Sequence, residues 1–206
     1  MGSMCKRRFN REFKIIICGL EGGGKTKLLY QLKYGRNVLT IPTLGFNVEI
    51  LNIEDAKFLT FDLGKFDSGS HKEFYDGTDI VMFVVDSSDE NKFYEAKLRL
   101  FNLMDEPELA NTHLVVIANK QDLNEAVPTK ELVLKLNLKD INQNWSMFSA
   151  VANYQKENEK SQEVSQEEIL FLDIKNFLLQ HVLDTFYYKK DGESNVKMLD
   201  NENKLS

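Results

Sequence analysis

A glycine-rich run near the start of the chain constrains the fold more than any other feature. It reads Gly19-Leu20-Glu21-Gly22-Gly23-Gly24-Lys25-Thr26 and matches the pattern G-x-x-x-x-G-K-[ST]. The β-branched residues 15–17 precede it as a buried strand would, and residues 25–34 follow it with helical spacing. We therefore predict a strand–loop–helix unit, which is typical of α/β folds with a parallel sheet.

The chemistry of this loop suits phosphate groups. Glycines let the backbone wrap around a polyphosphate with its N–H groups pointing inward, and the helix N-terminus adds partial positive charge. Lys25 is expected to reach the β- and γ-phosphates, and Thr26 to offer its hydroxyl to Mg²⁺. A plain glycine turn is the alternative, but the flanking strand and helix favour a nucleotide. The motif does not say which base is bound.

The rest of the chain alternates strand-like and helix-like segments. Further strands are predicted at residues 46–53, 57–62, 80–85, 114–118 and 145–150, and further helices at residues 91–104, 129–136 and around 169–182. This alternation predicts an α/β fold with a six-stranded, mostly parallel sheet and helices on both faces. Such sheets bind ligands beyond the carboxyl ends of their strands, and the motifs of this chain lie there.

The composition is that of a globular domain with a tail. The 206 residues are 42% hydrophobic and 28% charged, and the net charge is −6. An acidic chain argues against nucleic acid as a partner. No apolar stretch approaches the roughly 18–20 residues that span a bilayer. The two cysteines, Cys5 and Cys18, make no disulfide framework, which favours a reducing compartment.

A second motif, Asn119-Lys120-Gln121-Asp122, follows the fifth predicted strand and is expected to bind the base. The Asp122 carboxylate can accept both N1–H and the N2 amine of guanine, whereas adenine would leave it unpaired. Sites of this kind discriminate by roughly 10⁴–10⁵. Lys120 is expected along the base and ribose, and Asn119 should tie this loop to the phosphate loop. Alone the motif could be a polar turn, but beside a phosphate loop it indicates guanine.

Three more segments carry a family resemblance. They read Ile-Pro-Thr-Leu-Gly-Phe-Asn-Val-Glu at residues 41–49, Phe-Val-Val-Asp-Ser-Ser-Asp at 83–89 and Ala-Asn-Lys-Gln-Asp-Leu at 118–123. The chain closely resembles the ADP-ribosylation factor (Arf) and Arf-like small GTPases, over about residues 14–153 and the final helix. The resemblance implies a Ras-like P-loop small-GTPase fold that binds GTP or GDP with Mg²⁺. It has two switch segments, of which residues 41–49 match the first (switch I) and residues 64–74 the second (switch II).

The resemblance also implies roles for single residues. The threonine matching Thr43 binds Mg²⁺ and senses the γ-phosphate, and the aspartate matching Asp62 holds Mg²⁺ through water. Val151 and Ala152 match the loop beside guanine, where the backbone N–H of Ala152 meets guanine O6. The residue types suit these roles. Thr43 offers a hydroxyl oxygen on an otherwise apolar loop, and Asp62 ends a predicted strand where its carboxylate can join Thr26 at a site for a hard cation. A strand-end turn is the alternative for Asp62.

The second switch segment departs from the family pattern D-x-G-G-Q. The chain reads Asp62-Leu63-Gly64-Lys65-Phe66, so Phe66 replaces the glutamine that orients the attacking water. Phosphoryl transfer of this kind depends on positioned water and neutralised charge, and unassisted Ras hydrolyses GTP at only on the order of 10⁻⁴ s⁻¹. We predict slower intrinsic hydrolysis here and assign no catalytic residue. His71 is a polar group that could replace the glutamine, although a histidine in such a loop is expected to be solvated. Lys65 either pairs with phosphate or is exposed.

The ends of the chain are predicted to lie outside the GTP-binding domain, which spans residues 14–185. Residues 1–13 form a basic arm, since the first 14 residues carry five lysines and arginines against one glutamate. By the resemblance, the arm contacts a membrane surface, with Gly2 as a site for myristate and Cys5 for palmitate. Lys6 stands where Ser or Thr is preferred, and residues 1–3 could remain from cloning, so acylation stays open. Residues 154–168 are predicted to be an exposed acidic insertion, and residues 186–206 a disordered tail.

Two functions are compatible with these observations. The first is an Arf-like GTP-binding switch in membrane traffic, monomeric and peripheral on the cytosolic face of a membrane. It would recruit effectors through switch I and the strands between the switches, and would use an exchange factor and an activating protein. The second is a GTP-binding scaffold that does not hydrolyse its nucleotide, which Phe66 favours. An ATP-dependent kinase or ATPase is disfavoured by Asp122.

Overall fold

A single sheet organises the computed structural model, which describes residues 11–64, 71–154 and 165–191, with side chains described through residue 185. Its strands are β1 Glu12–Cys18, β2 Phe46–Ile53, β3 Ala56–Leu63, β4 Ile80–Asp86, β5 His113–Asn119 and β6 Trp145–Ser149. The strand order is β2-β3-β1-β4-β5-β6. Strand β2 runs antiparallel to β3, and the other neighbouring strands are parallel. The predicted six-stranded, mostly parallel sheet is confirmed.

Helices cover both faces of this sheet. They are α1 Lys25–Tyr34, α2 Phe93–Met104, α3 Thr129–Lys135 and α4 Gln166–Asp191. Apolar residues of α1 and α4 pack on one face, and those of α2 and α3 on the other. In β1, Ile15 and Ile17 face the first group while Ile16 faces the second, because successive strand residues point to opposite faces. A continuous apolar run is therefore what this central strand requires.

The final helix differs from the prediction at both ends. It begins at Gln166, inside the predicted acidic loop, and continues to Asp191, past the predicted domain end at residue 185. Its start is fixed by a capping box, in which Ser165 N–H donates to the Glu168 carboxylate at 3.1 Å and Glu168 N–H donates to Ser165 Oγ at 3.2 Å. Once started, each further residue adds one backbone hydrogen bond, so the helix continues beyond its apolar stripe.

Several predicted features lie outside the described residues. They are the acylation sites Gly2 and Cys5, the switch residues Lys65 and Phe66, residues 155–164 of the insertion and residues 192–206 of the tail. Within the described ranges, no helix has both the length and the apolar character needed to cross a membrane.

The sheet brings the predicted motifs to one edge. The carboxyl ends of β1, β3 and β5 are Cys18, Leu63 and Asn119, and these three strands run parallel. The phosphate loop, the second switch and the loop of the base motif at residues 119–122 (the base loop) therefore begin side by side. This is the edge where open α/β sheets bind ligands.

Candidate functional site

Two glycines of the phosphate loop combine a positive φ with a close neighbouring atom. Gly19 has φ of +133° and Gly24 has φ of +91°, both in the region that L side chains avoid. A Cβ on Gly19 would overlap the carbonyl oxygen of Val84, and a Cβ on Gly24 would overlap the side-chain amide of Asn119. The loop therefore passes closely between β4 and the base loop, leaving its open side toward the cleft.

Lys25 lies folded against the phosphate loop itself. Its Nζ donates to the carbonyl oxygens of Gly19 and Leu20, at 3.0 Å in each case. The side chain is only 7% exposed, and burial lowers the pKa of this amine against the opposing effect of Asp62. Among the residues that the structure describes, this buried ammonium is held by neutral carbonyls and has no anionic partner at hydrogen-bond distance, which suits it to a phosphate ligand.

Three predicted metal ligands meet at one carboxylate oxygen. Thr26 Oγ1 donates to Asp62 Oδ2 at 2.6 Å, and Thr43 Oγ1 lies 3.1 Å from the same oxygen. The two hydroxyl oxygens are 2.9 Å apart. Thr26 begins α1, Thr43 lies in the first switch segment and Asp62 is near the end of β3. The structure therefore brings together residues that are 17 and 36 positions apart in the sequence.

The surroundings of Asp62 fit a hard divalent cation. The residue is fully buried, and no described residue forms a hydrogen bond with its Oδ1. Burial raises the pKa of Asp62, and the bonds from Thr26 and Thr43 and the charge of Lys25 oppose that rise. An unpaired buried carboxylate oxygen costs about 1–3 kcal/mol. Mg²⁺, which prefers carboxylate, hydroxyl and water oxygens, would supply the missing positive charge.

Asn119 connects the base loop to the rest of the site. Its Nδ2 donates to the Gly23 carbonyl at 2.7 Å, which is the link to the phosphate loop that the sequence predicts. Its Oδ1 accepts the backbone N–H of Ala152 at 2.9 Å. That N–H, expected from the resemblance to meet guanine O6, therefore already has a protein partner and would have to be shared. Asn119 is 2% exposed, so both bonds are shielded from water.

Lys120 has a partner that the sequence prediction missed. Its Nζ lies 2.5 Å from Asp86 Oδ2, at the end of β4. Burial acts to raise the pKa of Asp86, but the hydrogen bonds from Lys120 and Ser88 outweigh it and hold the pKa low. Lys120 also has φ of +65°, a strained value for a residue with a side chain. The position of Asp86 after a buried strand was a signal that could have identified it.

The side chains of Gln121 and Ser87 hold the base loop through hydrogen bonds. Gln121 Nε2 donates to Ser87 Oγ at 2.7 Å and to the Val127 carbonyl at 3.0 Å. Ser87 Oγ in turn donates to the Asn119 carbonyl at 2.5 Å. Asp122 is exposed and faces the cleft, as a base-reading carboxylate must.

The site surrounds a cleft of about 540 Å³. This volume lies within the roughly 300–1,000 Å³ typical of small-molecule sites. Predicted residues that line it are Glu21, Gly22, Gly24, Lys25, Thr26, Thr43, Asn119, Lys120, Asp122 and Ala152. Residues that line it but were not predicted include Lys27, Thr40, Leu123 and Asn153. Predicted site residues that do not line the cleft are Gly19, Leu20, Gly23, Asp62 and Val151.

His71 is buried, whereas the sequence predicted a solvated side chain. The residue is 7% exposed rather than solvated, and its ring centroid lies 6.0 Å from that of Phe74. Among the described residues, it is not part of the cleft lining.

Comparisons with known proteins agree with this geometry. The sequence model of the ADP-ribosylation factor family matches residues 1–167. ADP-ribosylation factor K and ADP-ribosylation factor J, both from Dictyostelium discoideum, are each 42% identical over 137 residues, which is 64% of this chain and 71% of theirs. The Arl6 BBS3 small GTPase from Trypanosoma brucei, solved with the nucleotide analogue GppNp, shares the fold with a TM-score of 0.72 at 23% identity, over 84% of this chain and 99% of that one. The chain therefore belongs to the ADP-ribosylation factor family of GTP-binding small GTPases.

Proposed function

We propose that this protein is an Arf-like switch that reports bound GTP through its first switch segment. The observation that carries the proposal is the meeting of Thr26, Thr43 and Asp62 around one buried carboxylate oxygen. Thr43 is the member of this group that belongs to switch I, so a ligand at the group acts directly on that segment. A terminal phosphate that favours the ordered segment would shift its population toward the effector-binding state.

Mg²⁺ is the metal that these residues suit. Thr26 and Thr43 would hold it through their hydroxyls, and Asp62 through water. The bound ion would neutralise part of the phosphate charge. The unpaired Oδ1 of Asp62 supports this assignment, because a water ligand of the ion would give that oxygen a hydrogen bond.

Effectors would bind an apolar surface that continues from switch I onto β2. Its members, all exposed, are Leu39, Ile41, Leu44, Phe46, Val48 and Ile50. The last three alternate along β2 because the intervening Asn47 and Glu49 point to α1, where Lys33 pairs with Glu49 at 2.5 Å. β2 is also an edge strand. A continuous apolar surface beside an open edge is typical of a protein-binding site.

Hydrolysis would be slow in this protein. Phe66 cannot accept a hydrogen bond from water, so the attacking water lacks its usual orienting group. The nucleotide would then be exchanged or held rather than turned over quickly. A scaffold that keeps GTP bound is the second candidate function, and the same substitution favours it. An activating protein that supplies a polar group in trans would favour the switch.

The setting that we propose is the cytosolic face of a membrane, in membrane traffic. Support comes from the basic charge of residues 1–13 and from the candidate acylation sites Gly2 and Cys5. One acyl chain anchors only marginally, so a basic patch or a second chain is needed beside it. Exchange factors and activating proteins would control the nucleotide state there.

The test of the switch proposal is the magnesium dependence of nucleotide affinity in Thr43→Ala. This variant should weaken Mg·GTP binding about ten-fold or more while changing GDP affinity less than three-fold, because only the terminal phosphate needs the switch threonine. Thr185→Ala, which removes a threonine hydroxyl that donates to the His181 carbonyl within α4, is the matched control. Equal losses for GTP and GDP in Thr43→Ala would contradict the proposal.

A further inference from the structure

A polar cluster at the mouth of the cleft joins three separate segments. Lys27 Nζ lies 2.5 Å from Asn153 Oδ1. Asn37 Nδ2 donates to the same Oδ1 at 3.0 Å and to the Asn153 carbonyl at 3.2 Å. Lys27 is in the first turn of α1, Asn37 lies two residues after the end-cap Gly35, and Asn153 follows β6. We call these three residues the Asn153 bracket.

The bracket spans the two walls of the nucleotide cleft. Lys27 follows directly on Thr26 of the phosphate wall, and Asn153 follows directly on Ala152 of the base wall. Lys27 and Asn153 both line the cleft. Their contact therefore joins the side of the cleft that faces the phosphates to the side that faces the base.

Asn37 connects the segment that leads into switch I to Asn153. It lies three residues before Thr40, which lines the cleft immediately ahead of the first switch segment. Its two bonds to Asn153 fix the start of the segment that leads to Thr43. Movement of that segment away from the base wall breaks both bonds at once.

We propose that Asn153 is a positioning residue that slows release of the bound nucleotide by holding the cleft mouth closed. This proposal rests on guanine-nucleotide binding at the site, as proposed above. Opening the mouth requires the loss of three hydrogen bonds to Asn153, two at its side-chain Oδ1 and one at its backbone carbonyl. Each bond is near the surface, so its net contribution is at the low end of the range of about 0.5–1.5 kcal/mol.

The charge of Lys27 adds a second effect. Asn153 Oδ1 is a neutral acceptor, so it orients the ammonium without cancelling its charge. The bracket thus keeps a cation at the cleft wall beside the phosphate loop, where a polyphosphate benefits from it. An aspartate at residue 153 would cancel that charge, whereas the neutral amide of Asn153 leaves it available to the phosphates.

The experiment measures dissociation of a fluorescent GDP analogue from the full-length protein, with association measured in parallel. Asn153→Ala should raise the dissociation rate about three- to five-fold, the equivalent of the two surface hydrogen bonds that its side chain accepts, and leave association within two-fold. Asn37→Ala should raise dissociation as well. The double variant should fall short of the product of the two single effects, because the bond from Asn37 Nδ2 to Asn153 Oδ1 is lost in both single variants. Asn111→Ala, an exposed asparagine after α2, is the matched control.

Three results would overturn the inference. An Asn153→Ala dissociation rate within two-fold of the native rate would do so, and so would multiplicative effects in the double variant. The third is a loss of stability in the nucleotide-free Asn153→Ala protein large enough to explain the faster release, measured by urea unfolding. Failure of the native protein to retain guanine nucleotide is a different result, because it refutes the proposed function on which the inference rests.

Discussion

Removal of the Asn119 side chain should destabilise the protein even without a nucleotide. The side chain satisfies the Gly23 carbonyl and the Ala152 N–H, at 2.7 and 2.9 Å, and it is 2% exposed. Asn119→Ala leaves both backbone groups buried and unpaired, since Gly23 and Ala152 are themselves buried. At about 1–3 kcal/mol for each group, the free energy of unfolding should fall by about 2–6 kcal/mol.

The assay is thermal unfolding of the nucleotide-free protein in EDTA, because bound ligand would mask the change. For a domain of this size, roughly 2–4 °C of Tm is lost per kcal/mol, so Tm should fall by at least about 4 °C. Asn111→Ala makes the same chemical change at an exposed position and should stay within about 0.5 kcal/mol of the native protein. A fall of less than about 2 °C in Asn119→Ala would show that the link between the loops does not hold the site together.

Three further predictions concern other parts of the molecule. Gly24→Ala should abolish GDP binding, because its Cβ would overlap the Asn119 amide at a φ of +91°; equilibrium dialysis with labelled GDP measures this. Lys65→Gly with Phe66→Gln should raise single-turnover GTP hydrolysis toward roughly 10⁻⁴ s⁻¹, and an unchanged rate would refute the water-positioning explanation. Burial, with a smaller effect of His181, lowers the pKa of His113 to about 4, so the folded state favours neutral histidine. The contribution of neutral His113 to the free energy of unfolding should therefore be greatest above pH 6.5 and should be lost as the pH falls toward 4. The loss should be less than about 3 kcal/mol because the ring is partly exposed. Urea unfolding of His113→Phe should show a weaker dependence on pH.

The strands and helices were predictable because each has a local cause. Residues 25–34 and 46–53 were predicted as helix and strand with the bounds that α1 and β2 have in the structure. Their apolar spacing differs, and each is bounded by residues with special backbone needs, such as Gly35 at φ of +64°. The start of α4 also had a local signal, the Ser165 and Glu168 capping box, which the prediction overlooked.

The site was predictable only as far as its motifs extend. Thr26, Thr43 and Asp62 were expected together because the phosphate-loop motif assigns Thr26 to Mg²⁺, and the family resemblance assigns Thr43 and Asp62 to the same metal. The Lys120–Asp86 pair and the Asn153 bracket had no such guide. Their members come from loops that follow different strands and helices, and the bracket joins residues 116 and 126 positions apart. Contacts of this kind depend on loop conformations in the folded chain, which spacing along the sequence does not determine.

The most direct test of the GTP-held switch is a single-turnover measurement. The full-length protein is loaded with radiolabelled Mg·GTP, freed of excess nucleotide, and followed over a day for both released phosphate and retained nucleotide. Hydrolysis at roughly 10⁻⁴ s⁻¹ would consume half of the GTP in about two hours. We expect more than half to remain bound and intact at that time, because Phe66 leaves the attacking water without its orienting group. Phosphate release at or above that rate would contradict the hydrolysis argument, and loss of the nucleotide itself would contradict the switch.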